Sequence, residues 1–208
     1  KLDLFPIKDS YIAYLRRDPS SINRNPNTIN RIAGNLHQMT LEKIYEKCTE
    51  PKETNRQIGP MFKRWLLQGT LGCNVYTNEA QFLHSQENAV LNMSDDAMKN
   101  FAIQYLGYQR VNKGLDFIAR FNGKYIIAEA KFLTDFGGHQ DAQFEDAIAT
   151  MNSNLIVPNR LNAEVLQISI MDGVLYIAGN NKMYKHLVNH PNEIILSTLV
   201  LREFLYSI

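Results

Sequence analysis

Asp116, Glu129 and Lys131 are the residues whose types and spacing could do chemistry. Asn122 and Gly123 lie midway between the two acids, and Asn-Gly is the strongest short hairpin signal because both central residues of a type I′ turn need positive φ. With the turn there, Phe121 faces Lys124, Ile118 faces Ile127 and Asp116 faces Glu129. Opposed residues point to one side of the sheet with Cβ atoms roughly 4.5–5.5 Å apart. Lys131, two residues beyond Glu129, shares that side, while Ile126, Ala128 and Ala130 point to the other. Two negative charges about 5 Å apart repel by roughly 3 kcal/mol at an effective dielectric near 20, so the pair needs a counter-charge. A hard divalent cation would provide it, and Mg²⁺ typically takes one or two carboxylates and keeps several waters. A lysine beside such an ion can orient or help deprotonate a water, or stabilise charge growing on a phosphate oxygen.

The bland alternative is three solvated residues on an exposed hairpin face, and such spacings do arise by chance. The segment 125–132 is apolar on both sides of Glu129 and Lys131, which suits a buried central strand better than a wet edge. Buried charges need partners or a metal.

The elements that must position this group follow from pattern. The first hundred residues read mostly as helix, over about 28–48, about 57–71 and from Ser94, where Asp95 and Asp96 complement the helix dipole. Beyond Gly114 come two β-rich runs, 116–121 and 125–132, then a glycine-containing loop, 134–140, and a helix over about 141–151. The runs 165–170 and 174–178, joined through Asp172-Gly173, read as a second strand pair; helices over 182–188 and 198–205 close the chain. The expectation is one α/β domain over 1–208, with a central mixed β-sheet flanked by helices, a helical part over about 1–110 and a sheet core over about 111–208.

Lys+Arg 22 against Asp+Glu 21 gives a net charge of +1, which excludes a whole-domain polycation but not a local basic cleft. Two cysteines, Cys48 and Cys73, make no disulfide framework or C-x-x-C pair, and no apolar run approaches the roughly 20 residues of a bilayer span. A soluble, cytoplasmic protein is expected. The five histidines form no H-x-x-x-H pair within a clear helix, so zinc is not indicated. Asp135-Phe136-Gly137 lacks the glycine-rich and H-R-D loops of a kinase, and no G-x-x-x-x-G-K-[ST] loop is present for nucleotide hydrolysis. Phe62, Trp65 and Leu66 sit at helical spacing and read as core.

Gly114-Leu115-Asp116 followed by Glu129-Ala130-Lys131 resembles the PD-(D/E)xK nuclease motif, and 134–146 is similar to the loop and helix that follow it in type II restriction endonucleases. Leu115 stands where the family name has proline. The resemblance implies a restriction-endonuclease-like fold and Mg²⁺ bound by Asp116, Glu129 and the Ala130 carbonyl, with Lys131 assisting the attacking water. Glu53, in a segment similar to an early helix of such enzymes, is implied as a further acid at the metal. It also implies a double-stranded DNA substrate cut at a short sequence, a homodimer matching a palindromic site, and a cognate DNA methyltransferase as functional companion. DNA contacts are expected from Arg56, Lys63, His139, Gln140, Gln143, Arg160 and Asn162, with Arg16, Arg17, Arg24, Arg31 and Arg64 as further basic candidates. The rival readings are a structure-specific nuclease of the same fold, such as a junction resolvase or repair nuclease, and a non-catalytic DNA-binding domain.

Overall fold

Asn122 and Gly123 reverse the chain with φ of 50° and 80°, as a type I′ turn requires. The two strands they join, Phe117–Phe121 and Lys124–Leu133, are β3 and β4 of a six-stranded sheet. Their register is the one expected: Phe121 opposite Lys124, Ile118 opposite Ile127 and Phe117 opposite Ala128. The computed structural model describes residues 5–7, 12, 15, 18–49 and 55–208.

Among the described residues the sheet runs β1 (Asn74–Tyr76), β2 (Ala89–Leu91), β3, β4, β5 (Val165–Gly173) and β6 (Ile195–Leu196), in that spatial order. β2, β3 and β4 are antiparallel neighbours, whereas β1 pairs with β2, β5 with β4 and β6 with β5 in parallel. The sheet is therefore mixed, with β4 central. Parallel neighbours need a crossover, and the connection from β4 to β5 carries a helix, Gly138–Met151. The helices whose range is described are α1 (Ser21–Arg24), α2 (Pro26–His37), α3 (Leu41–Thr49), α4 (Asn55–Leu67), α5 (Glu79–Ser85), α6 (Asp95–Tyr105), α7 (Gly138–Met151), α8 (Lys182–Asn189) and α9 (Thr198–Ser207). None is long and apolar enough to cross a membrane, among the described residues.

One face of the sheet packs Phe117, Ala119, Ile126, Ala128, Ile168 and Ile170 against Leu66 of α4 and Leu201 and Leu205 of α9, with Phe62 and Trp65 partly buried on the same cluster. On the other face, Ile118, Tyr125 and Ile127 pack with Phe82 of α5 and Met98 and Phe101 of α6. Further along that face a separate cluster joins Leu133 and Met171 to Phe144 and Ala147 of α7. Glu129 and Lys131 occupy the stretch of β4 between Ile127 and Leu133, at the seam between these two clusters.

Three expectations need correction. The helix read over 28–48 is two, because Thr40 starts a new one by accepting from the Lys43 N–H at 3.3 Å. The first hundred residues, read mostly as helix, also hold β1 and β2, which, like β6, carry too few residues for a periodic signal. The third concerns 165–178, where no strand pair forms: β5 runs straight through to Gly173 and a 3-10 turn, Val174–Tyr176, follows. Both edges of β5 are already taken, by β4 and β6, so a returning strand has nowhere to pair.

Gly173 has φ of 110°, and a Cβ there would lie 1.9 Å from the Leu133 carbonyl oxygen. Gly123 has φ of 80° but open space around it. Gly173→Ala is expected to cost about 3 kcal/mol or more, and Gly123→Ala about 1 kcal/mol from backbone strain alone. Urea midpoints of the two variants against the parent check both the costs and their order.

Candidate active site

β3 stops at Phe117, so from Glu129 onward β4 keeps its partner β5 on one edge and loses its antiparallel partner on the other. Asp116 fills the gap. Its N–H donates to the Ala128 carbonyl at 3.1 Å, although Phe117 is the register partner of Ala128. Two consecutive residues thus address one, the arrangement of a β-bulge, which re-aims a side chain. As a result Asp116 does not sit squarely opposite Glu129; its Oδ2 accepts from the Ala130 N–H at 2.9 Å. The chain reaches this point through a close approach: a Cβ on Gly114 would lie 2.8 Å from Asp95 Cβ, while Leu115, at the proline position of the motif, is fully buried.

Lys131 Nζ lies 3.7 Å from Asp116 Oδ2 and forms a tight ion pair with Glu129 Oε1. The structure therefore brings Asp116, Glu129 and Lys131 together. Their environments differ, since the Glu129 side chain is 1% exposed and those of Asp116 and Lys131 are 25% and 20% exposed. The group opens to solvent on the Asp116 and Lys131 side and is sealed behind Glu129.

A buried carboxylate requires partners, and those of Glu129 come from three elements. Thr150 Oγ1, from α7, donates to Oε2 at 2.8 Å. Lys113, from the segment before β3, places Nζ 3.1 Å from Oε1, beside the Lys131 ammonium. Both ammoniums thus converge on Oε1. Behind it, Asp146 of α7 binds Lys113 through Oδ2, and its Oδ1 lies 3.3 Å from Arg110 Nη2. Arg110 also donates to Thr150 Oγ1 at 2.6 Å.

Burial raises the Asp116 carboxyl above its ordinary range; Lys131 and the Ala130 N–H pull it down, while Glu129 and Asp95 add to the rise. Burial would also raise Asp146, but Lys113 and then Arg110 outweigh it and hold that carboxyl below its ordinary range. For Lys113 burial works downward, and Asp146 with Glu129 outweigh it, leaving its ammonium harder to deprotonate than usual.

The donor set fits a hard cation of modest demands. Among the described residues no group of three or more His, Cys, Asp or Glu side chains is placed to hold a metal. Two carboxylates and a backbone carbonyl are nevertheless what Mg²⁺ accepts, with water completing its shell. The N–H and C=O of one strand residue point to the same edge, so the Ala130 carbonyl opens on the edge where its N–H meets Asp116. The buried Glu129 Oε1 already faces two ammoniums, so it sits where the fold favours positive charge.

The remaining expected contacts are scattered. Glu53, Arg16 and Arg17 lie outside the described residues, as does the side chain of Arg56. Lys63 bonds the Met93 carbonyl at 3.0 Å and pairs with Asp95 at 2.5 Å. Arg24 pairs with Asp18 at 2.5 Å. His139 is exposed on the first turn of α7, its Nε2 2.9 Å from Gln143 Nε2. Gln140 is buried, with Oε1 accepting from the Thr134 N–H at 3.0 Å, so its side-chain oxygen closes the loop before α7. Arg160 and Asn162 are exposed in the loop before β5. Sequence reasoning missed Arg110, Lys113, Asp146 and Thr150. A signal existed: Asp146 and Thr150 are four apart, hence on one helix face, beside the buried Ala147 and Met151.

Asp146→Asn is expected to cost about 1–3 kcal/mol near neutral pH. A depressed carboxyl contributes stability above its unfolded value and loses it as pH falls through the folded one. The gap between parent and variant should accordingly close on acidification, which denaturation midpoints measured across acid pH will show.

A sequence profile of the Tsp45I type II restriction enzyme family matches residues 1–208. No curated protein and no solved structure matches the chain. The match spans the helical first half as well as the Asp116, Glu129 and Lys131 hairpin, and the chain belongs to the Tsp45I type II restriction enzyme family, a site-specific deoxyribonuclease by that membership.

Proposed function

We propose that the protein hydrolyses phosphodiester bonds of double-stranded DNA at one short sequence, with Mg²⁺ held by Asp116, Glu129 and the Ala130 carbonyl. The observation that carries this reading is the meeting of Asp116, Glu129 and Lys131 where β4 runs past β3, with the Glu129 carboxylate 1% exposed, Lys131 ion-paired to it and Lys131 Nζ 3.7 Å from Asp116 Oδ2. Bound there, Mg²⁺ would supply Lewis acidity toward the phosphate and lower the pKa of a water.

The chain's own groups do the rest. Thr150 fixes the orientation of Glu129 by its hydrogen bond to Oε2. The Ala130 N–H holds Asp116 at the edge of the ladder. Lys131 sits at the solvent-facing side of the pair, where its ammonium orients the attacking water and offsets negative charge gathering on the phosphoryl oxygens. Basic side chains neutralise neighbouring phosphates, with Arg56, Lys63 and Arg160 as the candidates, and His139, Gln143 and Asn162 are candidates for hydrogen bonds to the DNA. Gln140 contributes by shaping the loop 134–140 through its bond to Thr134. A homodimer presents two such sites to a palindromic sequence so that both strands are cut, and a companion methyltransferase protects host DNA.

Incubating the purified protein with phage DNA and Mg²⁺ is expected to give discrete bands whose sequenced ends share one short sequence, with none in the presence of a chelator. Asp116→Ala, Glu129→Gln and Lys131→Ala should each lower cleavage about a hundredfold to a thousandfold. Random degradation, or cutting confined to branched DNA, would count against the sequence-specific reading. Full activity in Glu129→Gln would remove the assigned site.

A further inference from the structure

Lys113 has no part in the chemistry proposed above, yet its ammonium touches the candidate metal site directly. Nζ lies 3.1 Å from Glu129 Oε1 and forms a tight ion pair with Asp146 Oδ2. Glu129 Oε1 is also the oxygen that Lys131 contacts. The cluster holds three carboxylates, Asp116, Glu129 and Asp146, against three cations, Lys113, Lys131 and Arg110. It is charge-balanced as it stands.

Adding a divalent cation to Asp116 and Glu129 puts two positive charges next to both ammoniums, a strong repulsion in a partly buried site. The two lysines are not equivalent in how they can respond. The carboxylates that Lys131 faces are Glu129 and Asp116, the two that would hold the metal. Lys113 has a different second partner, Asp146, anchored from behind by Arg110 at 3.3 Å. It can withdraw from Glu129 and keep a counter-ion.

We propose that Lys113 is a resident counter-charge that competes with the divalent cation for Glu129 Oε1, and that Asp146 is the seat it withdraws to. This rests on the reading of Asp116 and Glu129 as metal ligands. Lys113 touches no reacting atom in this scheme; it acts through Glu129. The exchange keeps a sealed carboxylate paired when no metal is present, at the expense of metal affinity. Competition of this kind is a coupling between two ligands of one group, so removing one ligand strengthens the other.

The test is Mn²⁺ binding to the full, DNA-free chain, followed by loss of the free-ion electron paramagnetic resonance signal, with thermal unfolding of each variant in parallel. Lys113→Gln is expected to bind Mn²⁺ about tenfold more tightly than the parent, and Lys113→Arg, which keeps the charge, to stay near the parent. Asp146→Asn takes away the second seat and should weaken binding by about tenfold. Opposite signs from two neighbours in one ion pair set the scheme apart from a structural role, because loosening the site lowers affinity in both. Unchanged or weaker binding in Lys113→Gln, or unchanged or tighter binding in Asp146→Asn, while Glu129→Gln abolishes binding, overturns the proposal and leaves the metal assignment standing. If Asp116→Asn and Glu129→Gln bind as the parent does, or if neither the parent nor Lys113→Gln retains Mn²⁺, the metal assignment fails and the proposal with it.

Discussion

A carboxylate almost wholly removed from water is the constraint on which the arrangement depends. The Glu129 carboxylate is held by the Thr150 hydroxyl and the two ammoniums, and desolvating a lone charge without such partners costs several kcal/mol even after relaxation. Each partner comes from a different part of the chain: Lys113 from the segment before β3, Lys131 from β4 and Thr150 from α7. Holding one anion therefore fixes the position of two elements, α7 and the segment before β3, relative to the central strand. It also explains the polar gap between two apolar clusters on one face of the sheet.

The geometry that makes the site accessible is a strand-length mismatch. β4 has ten residues and β3 five, so half of β4 extends past its antiparallel neighbour. The parallel strand β5 supports the extension along its whole length, through Leu133 opposite Gly173. The result is a strand held rigidly on one side and open on the other, with the bulge at Asp116 closing only the first position of the open edge. A regular ladder continuing past Phe117 would have satisfied the Ala130 N–H and carbonyl with backbone and left no room for a ligand.

What could be read from the sequence was local. Asn122-Gly123 is a turn whose chemistry lies in two adjacent residues, and the register of β3 on β4 follows from it without reference to the rest of the molecule. The helix starting after Ser94 is similar, since Ser94 Oγ accepts from the Ala97 N–H at 3.3 Å. Asp172-Gly173 carries the same local signal and means something else. There, glycine is required by the Leu133 carbonyl pressed against it, and only the completed sheet shows that both edges of β5 are occupied. Asp116, Glu129 and Lys131 were legible because one hairpin brings them together. Lys113, Asp146 and Arg110 were not, because their meeting depends on how α7 lies across the sheet, a matter of packing between residues more than thirty positions apart.

The single helix α7 spans two environments. His139 and Gln143 stand at its solvent-facing beginning, and Asp146 and Thr150 reach into the protein interior from its later turns. At a rise of about 1.5 Å per residue, the first and last of these are roughly 16 Å apart on one stiff rod. One element thus carries both the exposed pair and the hydroxyl that the buried anion accepts from, and a change that moved the helix as a body would shift the two together.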